Sequence, residues 1–205
     1  MAIDLRTTLF APDSASSDIV NNVGIATSPF TGGVQITELI GAKWKLTFNY
    51  ENLDMRYSRL LKAIKAQLRG GAEVAHIVDY SYIPRRSVEL GTPVINGANQ
   101  VGGAIAASGY PASTRIFEYG DQLSYLCSDG MYRMHVVTAA VDSDPSGNAN
   151  IPILPPLRNP PVNGSAINSV NPCVSVALTS GGQIAIDGVI VSAQFEFTEQ
   201  LYGVL

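Results

Sequence analysis

The chain has 205 residues, 46% of them apolar and only 15% charged, with 13 Lys/Arg against 17 Asp/Glu and a net charge of −4. That length allows one domain or two small ones with a real core, while the lack of a basic excess argues against a chain built to grip nucleic acid. No window reaches the ~18 apolar residues of a membrane-spanning helix, and MAIDLRTTLFAPDS lacks the basic and apolar regions of a secretory signal, so the chain is expected to stay in the compartment where it is made.

Gly (19) and Pro (12) are frequent and apolar runs are short, a combination that favours turn-bounded β structure. The low charge fits a surface partly covered by neighbours, and equally a small monomer coated in Ser, Thr and Asn. Residues 1–26 read as irregular, with Asp13 to Asp18 loop-like and a short strand over Ile19 to Ile25. The run Ser28-Pro29-Phe30-Thr31-Gly32-Gly33 is a turn, because Pro fixes φ and Gly permits positive φ. A strand over Val34 to Leu39 and a tight connection at Ile40-Gly41-Ala42 lead to the clearest strand of the chain. There Trp44, Leu46, Phe48 and Tyr50 alternate with Lys45, Thr47 and Asn49, which predicts one buried face and one exposed or interfacial face.

Met55 to Arg69 predicts the one helix, with Tyr57, Leu60, Leu61, Ile64 and Leu68 on an apolar stripe. Asp54 suits its N-cap, Lys65 and Arg69 suit its C-terminal end, and Gly70-Gly71 suits its termination. Arg56, Arg59, Lys62 and Lys65 fall on the polar side, either as a solvated face or as a basic surface for an acidic neighbour in an assembly.

Further on, Glu73 to Tyr82 predicts a strand ended by Pro84-Arg85-Arg86, and Leu90 to Pro111 reads as short strands joined by Gly turns. That Gly-rich stretch has no GxxxxGK[ST] pattern and no strand-loop-helix setting, so a phosphate loop is not supported. Thr114–Phe117, Gln122–Cys127, Met131–Val141 and Ala149–Leu154 read as an antiparallel meander, with Asp129-Gly130 as a hairpin signal. Pro155 to Pro172 reads as a connector without periodicity. Val174–Leu178 and Gln183–Ile186 flank an expected turn at Thr179-Ser180-Gly181-Gly182, and Val189–Glu199 sets Phe195 and Phe197 opposite Glu196. The expected organisation is mainly β with one helix: a β-sandwich-like module over 1–85 carrying the helix at 55–69, an OB-like β-barrel module over 86–172, and strands over 173–205 that return to the first module.

Catalytic and metal-binding patterns are missing: there is no GxSxG, HExxH, CxxC or EF-hand loop, and no cofactor or catalytic residue is expected. Cys127 and Cys173 have no metal or redox spacing and are expected as buried thiols. His76 and His135 sit in apolar, strand-like runs and are expected as structural side chains. Asp142 and Asp144 offer oxygen ligands to a hard cation, but their setting beside Pro145-Ser146-Gly147 is explained by turn chemistry. Asn163-Gly164-Ser165 matches a glycosylation sequon without any sign of secretion.

Three ordered blocks carry a resemblance. They are Ser28-Pro29-Phe30-Thr31-Gly32 with the Trp44 strand and the helix; Gly91-Thr92-Pro93-Val94-Ile95-Asn96-Gly97 with Gly102-Gly103; and Gly120-Asp121 through the meander to Pro155-Pro156-Leu157-Arg158. Together, over roughly residues 28–178, they resemble the distal tail proteins of long-tailed bacteriophages. The N-terminal segment and Phe195 to Leu205 lie outside the pattern. The resemblance implies a structural virion protein at the tail tip, made in the host bacterial cytoplasm. It implies a homo-oligomeric ring, usually a hexamer, that joins the tail tube protein to the tail-tip hub and to receptor-binding or fibre proteins. DNA would be transiting cargo only, and no membrane is a partner. The oligomer interface is expected to draw on Trp44, Lys45, Thr47, Asn49, Arg56, Arg59 and Lys62, with a Val34–Tyr50 hairpin and the helix building the ring and the meander facing outward. A tail tube or tail-completion protein is the nearest alternative. A carbohydrate-binding module using Tyr110, Tyr119, Tyr125 and Tyr132 is the alternative of another class.

Overall fold

The computed structural model describes residues 2–39 and 41–201. Ile40 of the expected tight connection and Tyr202–Leu205 of the expected C-terminal region lie outside the described residues. The first part of the chain forms β1 (Ile3–Asp4), β2 (Ser14–Val20), β3 (Val23–Thr27), β4 (Val34–Glu38), β5 (Lys43–Asp54), α1 (Arg56–Leu68) and β6 (Val74–Val78). A middle part follows with β7 (Val94–Ile95), β8 (Gly102–Ser108), β9 (Arg115–Phe117), β10 (Gln122–Leu126), β11 (Tyr132–Val137), β12 (Val141–Asp142) and β13 (Ala149–Leu157). The chain then returns through β14 (Cys173–Asp187) and β15 (Ile190–Glu199). The fold is mainly β with one helix.

The larger sheet has the order β1-β6-β14-β15-β5-β2, so the two C-terminal strands occupy its centre. Its ladders are antiparallel except for β1 on β6. The alternation in β5 has the expected outcome: Trp44, Leu46, Phe48 and Tyr50 are buried, and Phe195 and Phe197 of β15 lie beside them in register. Leu61, Ile64 and Leu68 of α1 join the same core, together with Leu5 and Leu9. Edge-on aromatic pairs knit it, such as Phe48 with Phe197 at 5.7 Å and Phe10 with Tyr50 at 4.9 Å.

The helix begins one residue later than expected. Met55 is its N-cap, and Asp54 Oδ1 accepts the Arg56 N–H at 2.9 Å from the position before it. The left-handed turn that ends it starts at Arg69 (φ 47°) and passes into Gly70 and Gly71.

Four local expectations are corrected. Asp13 to Asp18 is not a loop, because Ser14–Val20 pairs with β5 as an edge strand; partner and packing outweigh the poor strand propensity of serine. Val34 to Tyr50 is not a hairpin: β4 pairs with β3, while β5 lies between β2 and β15. Thr179 to Gly182 is not a turn between two strands but a bulged stretch inside the continuous β14. Gly181 (φ +88°) fits there because a Cβ would come within 2.3 Å of the Gln194 carbonyl oxygen. The expected meander is interrupted, since β9 pairs with β12 rather than with β10.

The second sheet, β10-β11-β13-β8-β7, curls into a five-stranded half-barrel. β13 runs past the expected end at Leu154 to Leu157, with its ladder to β8 interrupted between Pro152 and Leu157 where prolines withhold donors. The Pro- and Asn-rich connector spans the gap between the two ends of this half-barrel. Ile95 N–H donates to the Ser165 carbonyl at 2.9 Å and Ile167 N–H to that of Pro93, while Ser124 and Asn168 exchange backbone bonds at 2.8 Å. A segment without hydrophobic periodicity therefore closes the half-barrel through backbone pairing.

Candidate assembly surfaces

Three surfaces are candidates for contact with neighbours. The first is the outer face of the large sheet. Lys45 pairs with Glu196 at 3.2 Å, Asn49 Nδ2 donates to Ser14 Oγ at 3.0 Å, and Thr47 lies in register between Ser16 and Glu196. Thr179 Oγ1 meets Thr198 Oγ1 at 3.2 Å on the neighbouring strands. The face is polar, and Lys45 on it is matched by a carboxylate.

The second surface is α1. Arg56, Arg59, Lys62 and Lys65 are all exposed, as expected from the apolar stripe opposite. Arg56 stands 5.3 Å over the Tyr57 ring and 3.8 Å from Asp54. The structure brings Lys45, Thr47 and Asn49 onto one sheet face and Arg56, Arg59 and Lys62 onto one helix face.

Trp44 belongs to neither and is a correction. It is 3% exposed, its indole N–H donates to the Met134 carbonyl at 2.8 Å, and its backbone N–H donates to Glu199 Oε2 at 3.0 Å. Its alternation with Lys45 places it on the core face, so it joins the half-barrel to the large sheet instead of meeting a neighbouring copy.

Glu199 organises this junction. Arg158 donates to Glu199 Oε1 at 2.6 Å and also to the Ala42 carbonyl. Arg133 reaches Asp129 at 2.8 Å, the Leu201 carbonyl at 2.8 Å and the Gln200 carbonyl, with its Nη1 3.7 Å from Glu199. Burial pushes the Glu199 carboxyl up from its ordinary value, opposed by Arg158, the Trp44 N–H and Arg133. No short-range pattern marks this cluster, because Arg133, Arg158 and Glu199 are separated from one another by tens of residues.

The third surface was missed by sequence reading. β2 to β3 and β4 to β5 form one ribbon, joined across its bend by Leu39 N–H donating to the Asn22 carbonyl at 2.8 Å. The outer half, β3 with β4, pairs with no other described strand. Ile25 and Ile36 are each 68% exposed and Phe30 at the tip is 96% exposed, with Val23 and Val34 also open. The signal available was the Ser28–Gly33 turn between two runs that alternate weakly, which identifies a hairpin but not its projection.

The remaining candidate residues are engaged within the chain. Asp144 Oδ1 accepts the N–H groups of Ser146 and Asn148 at 2.7 and 2.8 Å, and Asp142 pairs with Arg115 at 2.5 Å. Both cysteines are free and buried, and burial pushes the Cys127 thiol up to about 11. His135 is buried between the Tyr125 hydroxyl at 2.8 Å and the Pro155 carbonyl at 2.7 Å. Because a carbonyl only accepts, Nδ1 carries the proton and Nε2 accepts from Tyr125. Burial pulls His135 down to about 3, so the ring is neutral.

Among the four tyrosines named for glycan binding, Tyr110 and Tyr125 are buried and Tyr132 packs against Arg6 and His76; Tyr119 is exposed. The chain matches no protein-family model, and comparison with curated proteins returns no significant match.

Proposed function

We propose that this chain is a structural subunit of a long-tailed bacteriophage tail, forming a ring at the distal end of the tube that joins the tube to the tip and receptor-binding apparatus. The sequence resemblance supplies the family. The structural observation that carries the reading is the projecting ribbon, whose outer half holds Ile25, Phe30, Val34 and Ile36 in the open. An isolated two-stranded ribbon is marginally stable in water, and open apolar side chains on unpaired strands invite association. A subunit that is covered on assembly makes use of both.

The outer face of the large sheet supports the same reading. Its Ser, Thr and Asn side chains and its Lys45–Glu196 pair present little net charge. Such a face suits a channel through which DNA passes, because uncompensated Lys and Arg would hold the phosphates. The same surfaces would serve a tail tube protein, and copy number separates the two roles. The glycan-binding alternative is less well supported, since only Tyr119 of its four named aromatics stands open.

A cryo-EM map of a virion carrying the chain tests the proposal. One ring of this subunit between tube and tip is the expected result. Density repeated along the tube would reassign it as a tube protein, and absence from the tail would overturn the structural role.

A further inference from the structure

We infer that the C-terminal half of α1 docks on the acidic pair Asp13 and Glu51 of a second copy of this chain, as the head-to-tail contact of the ring; the inference rests on the ring reading above. Five of the 13 Lys/Arg residues lie between positions 56 and 69, and no Asp or Glu lies among them. Lys62, Lys65 and Arg69 border an open groove of about 600 Å3 whose other wall is the β14 bulge at Gly182 and Gln183. Arg69 is paired with Glu73 at 3.0 Å, but Lys62 and Lys65 form no ion pair among the described residues.

The complementary feature lies toward the β2 edge of the sheet. Asp13 precedes the edge strand β2, and its Oδ2 accepts the Glu51 N–H at 2.6 Å, so the two acids sit side by side. Both are exposed, and neither has a cation partner among the described residues. The end of α1 lies over β14, where a Cβ on Gly71 would meet the Leu178 carbonyl at 2.2 Å and one on Gly182 would meet the Lys65 stem at 3.3 Å.

Asp13 adjoins β2, three places from β14 in the sheet order, and Glu51 lies on β5, two places away, which are about 14 and about 10 Å at the usual strand spacing. The basic and acidic pairs are therefore separate patches with opposite charge. Separate complementary patches are what a heterologous contact requires, and such a contact closes into a ring if its rotation permits. Duplex DNA is the weaker occupant, because the rest of the chain is acidic and repels a polyanion.

The test is native mass spectrometry and mass photometry of the full chain at low salt and at about 0.5 M salt, where surface pairs are screened. Four proteins are compared: wild type, K62E/K65E, D13K/E51K and the fourfold variant. The expected result is assembly of the wild type that weakens at least about tenfold in high salt. Each double reversal should give monomers with an unchanged melting temperature, and the fourfold swap should restore assembly.

Rings that persist in both double variants would overturn this contact and leave the ring reading standing. A folded fourfold variant that stays monomeric would also overturn it. A wild type that is monomeric at every salt concentration would overturn it too, with the virion map then deciding the ring. Tight, salt-sensitive binding of duplex DNA that K62E/K65E abolishes, without self-assembly, would reassign the helix face to nucleic acid.

Discussion

The ribbon that runs from β2 to β5 has two halves with opposite fates. In the inner half, Trp44, Leu46, Phe48 and Tyr50 are buried against α1, β15 and the half-barrel. In the outer half, Ile25, Val34 and Ile36 are equally apolar but stand in solvent. Both halves are antiparallel pairs joined through one bend, so local structure does not separate them. What separates them is coverage: the inner half lies within a six-stranded sheet, while the outer half has only itself. Similar apolar side chains on paired strands thus end up covered or open, and only the topology tells which.

The contrast can be broken with substitutions of similar size on the two halves. Phe48→Ala removes a fully buried ring from the core, and the expected loss is about 3–5 kcal/mol in chemical denaturation. A loss below about 1 kcal/mol would mean that the inner half is not the core it is described as. Glu199→Ala acts on the junction and leaves Arg158 buried without its carboxylate while Arg133 keeps Asp129, for which a loss of about 3 kcal/mol is expected. Trp44 fluorescence should report the same transition, because its backbone N–H also loses Glu199.

Acid sharpens the comparison, since the interior holds His135 and the outer half of the ribbon holds no histidine. The ordinary value for His135 is 6.5 and burial pulls it to about 3, so the unfolded chain binds the proton more readily. Stability from the neutral ring is complete above about pH 6.5 and is lost as pH falls toward about 3. Between pH 7 and pH 5 the loss is about 2 kcal/mol, with His76, also lowered by burial, acting in the same direction. Urea denaturation across that range should flatten in His135→Asn; an identical slope in the variant would remove His135 as the cause. The smallest effect is expected for Ile36→Ser, which should change protomer stability by no more than about 0.5 kcal/mol while weakening assembly.

Much of the fold was legible where a face alternates or a helix stripe repeats. Trp44 to Tyr50, Phe195 and Phe197, and Leu61 to Leu68 took their expected buried sides because period identifies the core face of an element. Ser14 to Val20 and the 161–168 segment were not legible, since both are held by backbone pairing with distant strands rather than by their own pattern. The β14 bulge read as a turn because its Thr-Ser-Gly-Gly composition suits either outcome. Of the residues expected at an interface, the outward orientation of those on β5 and α1 was legible from periodicity. Trp44 was placed on the wrong side of that division, and the projecting outer half of the ribbon went unseen because exposure is a tertiary property.

Amide hydrogen exchange of residues 23–38 against residues 43–50, in the isolated chain and in virions that carry it, tests the central claim most directly. The inner half should be protected in both states, whereas the outer half should exchange quickly in the isolated chain and slowly in the particle. An outer half that exchanges equally fast in the particle would contradict the account, because its open apolar surface would then have no neighbour to cover it.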